Sequence, residues 1–163
     1  MSMNKVTFPY KPEKYMQVSK NLSRSALPTV HQFRWLKSQG VTDVVDLTKP
    51  QIEHKPFNEK EVVERLGMRY HNIPIYTSSP QEEQVGKFLD IVEDVSQNNG
   101  KVHLHCMEGV DRTGMYALIY KTLNNIDTFK NNVKEMYSMG FHYYCYEDII
   151  PWAEKYINKF SKK

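Results

Sequence analysis

Residues 102–118 read VHLHCMEGVDRTGMYAL, and they place a cysteine and an arginine between two apolar segments. Residues 101–105, KVHLH, form a short segment that is predicted to be a strand. Residues 112–125 are predicted to form a helix that is apolar on nearly every side, which is typical of a helix at the centre of a fold. The stretch therefore predicts a strand, a loop and a helix, with Cys106 at the carboxyl end of the strand.

The rest of the chain alternates amphipathic helices with short apolar runs. Strands separated by helices predict an α/β fold, with a central, largely parallel sheet flanked by helices. Pro74 makes a central position in that sheet less favourable for the strand that carries it. In such folds, ligands bind at the carboxyl ends of the strands. Helices are predicted at 29–40, 58–67, 79–100, 127–139 and about 147–160, and further strands at 41–47 and 70–76.

The composition is that of an ordinary globular protein. The chain has 163 residues, of which 40% are hydrophobic and 25% charged, and it shows no internal repeat or linker. We therefore expect one domain over 1–163, a monomer, and no transmembrane segment or signal peptide. Two cysteines do not make a disulfide framework, so a reducing, cytoplasmic location is predicted. A net charge of +3 is too small to indicate a nucleic-acid partner.

The loop after Cys106 has the features of an anion-binding site. Backbone N–H groups of such a loop face inward, and the following helix adds unpaired donors and the positive end of its dipole. Gly109 tolerates the backbone angles of a tight curve. Arg112 has a planar guanidinium that can hold two oxygens of one ligand. These features predict a cradle for a tetrahedral anion.

The same donors favour the thiolate form of Cys106, which is the nucleophilic form. The hydroxyl of Thr113 is predicted to donate a hydrogen bond to the sulfur. Attack on a phosphate ester would give a phosphocysteine, with the charge on phosphorus met by Arg112 and the loop amides, and water would then hydrolyse it. This chemistry needs no metal or other cofactor, and no metal-ligand spacing is visible. A buried structural cysteine is the alternative.

HCMEGVDRTG, at 105–114, resembles the His-Cys-x5-Arg-Ser/Thr signature of the protein tyrosine phosphatase superfamily, and the chain is similar in size and order to its small dual-specificity-like members. NLSRSALPT, at 21–29, is similar to the Asn-Leu-Tyr-Arg-Ser-x-x-Pro segment of many such proteins, with serine in place of the aromatic residue. VVDLT, at 44–48, resembles a strand ending in Asp-Leu-Arg, with threonine in place of the arginine. The resemblance covers about 20–140.

The resemblance implies a phosphatase that acts on phosphotyrosine or a similar monoester, in a phosphorylated protein or a small molecule. It implies Cys106 as nucleophile, Arg112 as phosphate ligand and His105 as the residue that orients the loop. The cradle that it implies consists of the backbone amides of Met107, Glu108, Gly109, Val110, Asp111 and Arg112.

The general acid that protonates the leaving oxygen is missing from its usual place. The resemblance implies an aspartate after the preceding strand, but residues 73–84, IPIYTSSPQEEQ, contain none. Asp111 is the favoured alternative, because Cys-x-acidic-Gly-x-Asp-Arg-Thr also resembles the loops of myotubularin-like and Sac-like lipid phosphatases. Glu82 or Glu83 is the second alternative, although acidic residues in a first helical turn are ordinary dipole partners. Asp46, at the end of its strand, is the third, and such an aspartate is often structural.

Two other functions stay open. A phosphoinositide or inositol phosphate phosphatase is the alternative enzyme, but Glu108 and Asp111 would repel additional phosphates. A phosphate-binding module without turnover is the alternative from another class, suggested by the missing aspartate. The presence of Cys106, Arg112 and Thr113 together disfavours it.

Three predictions concern residues outside the loop. The segment 48–58, with Lys55, is predicted to be a solvated connection, and bordering the site is the alternative. His142 is predicted to be a core or surface residue and not a ligand. Cys145 is expected to be inert, or to act as a resolving partner if it lies near Cys106.

Overall fold

The structure is a computed structural model that describes residues 10–161. Its five strands form one sheet, and six α-helices surround it. The strands are β1 (Met16–Ser19), β2 (Leu22–Ser25), β3 (Asp43–Asp46), β4 (Arg69–Asn72) and β5 (Val102–His105). The helices are α1 (Val30–Ser38), α2 (Glu59–Arg65), α3 (Glu82–Gln97), α4 (Asp111–Leu123), α5 (Phe129–Ser138) and α6 (Ile149–Phe160).

The sheet has the strand order β1-β2-β5-β3-β4. β1 pairs with β2 antiparallel, and the other three pairings are parallel. The predicted α/β class with a largely parallel sheet is therefore confirmed. β4 lies at an edge of the sheet and ends before Pro74, as expected for a residue that cannot donate to a strand ladder. β5 is the middle strand, so the residues that follow it lie at the centre of the carboxyl edge.

The sheet separates two hydrophobic clusters, because neighbouring residues of a strand point to opposite faces. Val44 belongs to the smaller cluster, with Phe33 of α1 and Val63 of α2. Val45 belongs to the larger cluster, which contains Phe88 of α3 and buried residues of α4, α5 and α6. α4 is buried at each position from 113 to 119, so the helix that follows the cysteine loop is central, as predicted.

The predicted helices are all present, and none of their ends shifts by more than three residues. Thr29 and Gln32 form a reciprocal cap at the start of α1, and Asn58 caps α2. Within the described residues, no helix combines the length and the hydropathy needed to cross a membrane.

The hairpin of β1 and β2 was not predicted. The sequence of β2 is LSRS, and its four residues are buried, although only one of them is apolar. Its two serines bond both ring nitrogens of His103 on β5, at 2.7 Å each. A strand that pairs its polar side chains inside the fold carries no hydrophobic alternation that could reveal it.

Candidate active site

A cavity of about 430 Å³ opens at the carboxyl edge of the sheet, beside the loop that joins β5 to α4. Cys106 is the first residue after β5, is 2% exposed and contributes to the cavity wall. The sulfur thus lies next to a hollow large enough for an oxyanion. The lining residues are Lys49, Glu53, Thr77, Cys106, Met107, Glu108, Asp111, Arg112, His142, Cys145 and Tyr146.

The loop that joins β5 to α4, residues 106–110, is held in place by β2 and the residue that follows it. The backbone N–H of Gly109 donates to Cys106 Sγ at 3.3 Å, and the Gly109 carbonyl accepts from Arg24 Nη2 at 2.8 Å. Gly109 has φ +74°, and a Cβ there would lie 2.5 Å from the backbone nitrogen of Ala26. Only glycine fits this combination of backbone angle and close approach. Burial lowers the pKa of Arg24, which is 1% exposed.

Arg112, the predicted phosphate ligand, is held by a residue that the sequence did not single out. Its Nη1 and Nη2 donate to the two carboxylate oxygens of Glu53, at 2.7 and 2.8 Å. This bidentate pair fixes the plane of the guanidinium at the cavity wall. Burial lowers the pKa of Arg112, but the Glu53 hydrogen bonds outweigh it and raise the pKa above its ordinary value. Within the described part of the chain, Nε of Arg112 donates no hydrogen bond to another residue.

The hydrogen bond predicted from Thr113 to the sulfur is not formed. Because α4 begins at Asp111, Thr113 is its third residue, and its side chain is fully buried in the first turn. Its hydroxyl has no hydrogen-bond partner among the described residues. The hydrogen bond to the sulfur that the structure does contain comes from the backbone of Gly109.

His105 is fully buried, does not line the cavity and is hydrogen-bonded to the backbone of Cys106. Its Nδ1 donates to the carbonyl of Cys106 at 2.8 Å, and its Nε2 donates to Glu59 Oε2 at 2.5 Å. Burial lowers the pKa of His105, but the charges of Glu59 and Asp46 outweigh it and raise the pKa to about 9. The imidazole is thus protonated at neutral pH, with both of its donors engaged. The orienting role of His105 stays a prediction, with its hydrogen bond to the Cys106 carbonyl as the contact that would serve it.

Asp46 lies next to His105 in the sheet and is fully buried. Its carboxylate accepts from Lys55 Nζ and Tyr70 Oη at 2.6 Å each, and from the hydroxyl of Thr48 at 2.7 Å. Burial raises the pKa of Asp46, but the charge of His105 and these donors outweigh it and lower the pKa to about 2. Asp46 does not line the cavity. Its burial away from the cavity disfavours it as the general acid, and its supporting role stays a prediction.

Lys55 corrects the prediction of a solvated connection. Its side chain is 6% exposed, and its ammonium also donates to Glu59 at 2.7 Å. Two cations, Lys55 and His105, are thus paired with two anions, Asp46 and Glu59. Ligand atoms of Asp46, Glu59 and His105 lie within 4.8 Å of one another, a spacing that would suit a metal ion. The ammonium bonds both carboxylates, so an ion-pair network accounts for the cluster.

The glutamates considered as alternative acids lie away from the cavity. Glu82 and Glu83 are exposed in the first turn of α3, and neither contributes to the cavity wall. Glu82 pairs with Lys159 of α6 at 3.0 Å. Their position is that of ordinary helix-dipole partners.

Asp111 lies in the cavity wall, where it is bonded to His142. Asp111 Oδ1 accepts from the backbone N–H of His142 at 3.0 Å, and Oδ2 lies 2.8 Å from His142 Nδ1. The hydrogen bond to Asp111 raises the pKa of His142. His142 itself lines the cavity, in the segment between α5 and a 3₁₀ turn at Tyr143–Cys145. His142 was predicted to be a core or surface residue, and it is an exposed residue that also borders the cavity.

Cys145 lines the same cavity as Cys106. Both thiols are free, and Cys145 is exposed whereas Cys106 is buried. The resolving role of Cys145 stays a prediction.

A cysteine at the end of the middle strand, with a glycine amide on its sulfur and an arginine beside it, defines a small cysteine-dependent phosphatase of the dual-specificity type. The sequence model of the family described as "Polymorphic toxin system, DSP-PTPase phosphatase" matches residues 18–123. The match extends over more than half of the chain, and the chain belongs to this family. The predicted family and the phosphatase activity are thereby confirmed. No curated protein sequence matches the chain.

Solved structures share the fold at low identity. A DUF442 phosphatase from Shewanella putrefaciens CN-32 is 22% identical, with a TM-score of 0.78 over 93% of this chain and 95% of its own. The core catalytic domain of the PP-IP phosphatase SIW14 from S. cerevisiae is 20% identical, with a TM-score of 0.75 over 90% and 86%. P. aeruginosa TpbA in complex with pTyr is 22% identical, with a TM-score of 0.67 over 88% and 82%.

Proposed function

We propose that this phosphatase hydrolyses phosphate monoesters, phosphotyrosine above all, through a phosphocysteine at Cys106. The observation that carries the proposal is the buried sulfur, which accepts from the Gly109 amide beside a cavity that also exposes Arg112. The Gly109 amide and the sulfur hold the attacking atom and a hydrogen-bond donor next to each other at the cavity wall. The guanidinium is already oriented by Glu53, so little conformational freedom is lost when a phosphate binds.

The reaction has two steps. The thiolate of Cys106 attacks phosphorus, the bond to the ester oxygen breaks, and that oxygen takes a proton. Water then attacks the phosphocysteine and releases phosphate and the thiolate. In both steps the guanidinium of Arg112 and the backbone amides of residues 107–112 stabilise the charge on the equatorial oxygens.

The charges of the cavity favour a singly phosphorylated substrate. Its wall combines Lys49, Arg112 and His142 with three carboxylates, of which Arg112 engages Glu53 and His142 engages Asp111. The remaining carboxylate, Glu108, opposes a second phosphate. An inositol phosphate or phosphoinositide is the second candidate, supported by the fold shared with a PP-IP phosphatase. A single domain over 1–163, a cytoplasmic location and a monomeric state stay predictions.

The test is turnover of para-nitrophenyl phosphate by the full chain near pH 6. Cys106→Ser is expected to abolish turnover and to retain phosphate binding, measured by isothermal titration calorimetry. Cys145→Ser is the matched control, because it removes the other thiol of the same cavity and is expected to stay active. Unchanged turnover in Cys106→Ser would refute the phosphocysteine mechanism. A panel of phosphotyrosine peptides and phosphoinositides then separates the two substrate classes.

A further inference from the structure

We propose that His142 is the general acid of this phosphatase and that Asp111 positions it. The proposal rests on the proposed function, because it assigns the proton that the Cys106 reaction needs. Asp111 is the favoured acid from the sequence, but in the structure its two carboxylate oxygens are both engaged by His142. Protonation of the carboxylate would weaken both of these hydrogen bonds, because they are strengthened by its negative charge.

Asp111 and His142 are joined by two hydrogen bonds. The backbone N–H of His142 donates to Oδ1 of Asp111, and the imidazole Nδ1 donates to Oδ2. The backbone bond fixes the segment that carries His142, and the ring bond fixes the plane of the imidazole. A carboxylate that orients an imidazole through Nδ1 leaves Nε2 for the reacting groups, an arrangement that catalytic histidines use on many folds.

His142 borders the cavity that a phosphate ester would enter. It lines the cavity that holds Cys106 and Arg112, and about half of its side chain is exposed. Within residues 10–161, Nε2 has no hydrogen-bond partner. The nitrogen that Asp111 leaves unoccupied can therefore meet a leaving oxygen in the cavity. A general acid needs this access as well as a suitable protonation state.

The surrounding charges favour a protonated imidazole. The hydrogen bond and the charge of Asp111 raise the pKa of His142 most, and Glu108 on the loop raises it further. Because the ring is exposed to solvent, burial lowers the pKa of His142 less than Asp111 raises it. The other charged groups of the cavity and of the adjoining hollow are Glu53, Lys49, Arg112, Glu13 and Lys14.

The proton balance of the cycle is closed. As the S–P bond forms and the P–O bond breaks, His142 Nε2 gives its proton to the leaving oxygen, and the alcohol or phenol departs. In the second step, neutral Nε2 takes a proton from the attacking water as its oxygen bonds to phosphorus and the S–P bond breaks. The cycle ends with phosphate, the thiolate of Cys106 and a protonated His142, and it uses no other reactant.

The first experiment compares leaving groups. A phenolate is a poor leaving group and needs the acid, whereas para-nitrophenolate is a good one and needs it little. His142→Asn keeps an amide N–H toward Asp111, so the segment stays tied. We expect kcat/KM for phenyl phosphate to fall about 100-fold and that for para-nitrophenyl phosphate to fall less than about 10-fold. His31→Asn is the matched control, because His31 is exposed on α1 and does not line the cavity.

The second experiment distinguishes a catalytic role of His142 from a purely structural one. The basic limb of the kcat/KM profile with phenyl phosphate is expected to vanish in His142→Asn. It is expected to move to lower pH in Asp111→Asn, because the imidazole loses the carboxylate that raises its pKa. Free imidazole is expected to restore part of the phenyl phosphate activity of His142→Ala, which a purely structural role would not allow.

Two outcomes would overturn the proposal. One is an equal loss of activity on both esters in His142→Asn. The other is a selective loss on phenyl phosphate in Asp111→Asn but not in His142→Asn, which would make Asp111 the acid. Cys106→Ser distinguishes a failure of the proposed function, because turnover of both esters in that variant would refute the phosphocysteine itself.

Discussion

Replacement of Gly109 by alanine tests whether the loop geometry is built by the close approach of β2. The added Cβ would lie 2.5 Å from Ala26 N, 2.7 Å from Ser25 C and 2.9 Å from Ala26 Cα. These neighbours are backbone atoms at the end of a buried strand, so they cannot rotate away. The loop itself must move, and the Gly109 N–H must leave the sulfur of Cys106.

The expected destabilisation has two parts. A left-handed backbone, here φ +74°, costs a residue with a Cβ about 1–2 kcal/mol. Overpacking against a rigid neighbour adds about 1–3 kcal/mol. We therefore expect Gly109→Ala to lower the free energy of unfolding by about 2–5 kcal/mol. Loss of the donor to the sulfur is expected to lower kcat on the order of 100-fold.

Gly67→Ala separates the two parts. Gly67 has φ +86°, and a Cβ there would meet only the flexible ammonium end of Lys37, at 3.2 Å. This variant is expected to lose about 1–2 kcal/mol and to keep full activity. Urea unfolding and para-nitrophenyl phosphate kinetics measure both variants. If Gly109→Ala matched Gly67→Ala in stability and in kcat, the contact with β2 would not shape the loop.

Three other predictions concern the ion pairs around the loop. Glu53→Gln is expected to lower kcat/KM for para-nitrophenyl phosphate about 10-fold, because Arg112 loses its fixed orientation; higher activity would show instead that Glu53 competes with phosphate. Lys55→Met is expected to lower the free energy of unfolding by about 3–5 kcal/mol in urea, because it leaves two buried carboxylates without their ammonium; a loss below about 1 kcal/mol would contradict this. The raised pKa of His105 stabilises the fold fully below about pH 6.5 and is lost as pH rises through about 9, a loss of about 3 kcal/mol. Urea midpoints from pH 6 to 10 measure this decline, and His105→Gln should flatten it; a decline of the same size in that variant would assign it to other groups.

The elements that follow a hydrophobic period were predictable from the sequence. Phe88 and its neighbours mark the inner face of α3, and the unbroken apolar run of α4 marks a central helix. The β1–β2 hairpin was not predictable, because β2 buries Arg24 and two serines against polar partners. Those partners lie on β5 and in the cysteine loop, 78 to 85 residues along the chain.

The residues around the cysteine loop divide in the same way. The roles proposed for Cys106 and Arg112 follow from a local spacing, because a strand, a tight loop and a helix start bring them together whatever the rest of the chain does. Glu53 reaches Arg112 from 59 residues away, and His142 reaches Asp111 from 31 residues away. Both come from connections between elements, where no periodic pattern says which side chain turns toward the cavity.

The sequence by itself determined the fold class and the position of the nucleophilic loop, since hydrophobic periodicity and short-range spacing are properties of the chain alone. The tertiary structure decided which charges surround that loop. Glu59 and Lys55 lie beneath it, and Asp111 is bound to a histidine, because packing of the sheet brings together groups whose separation along the chain carries no signal. The position of His142, the proposed general acid, is likewise decided by the tertiary structure.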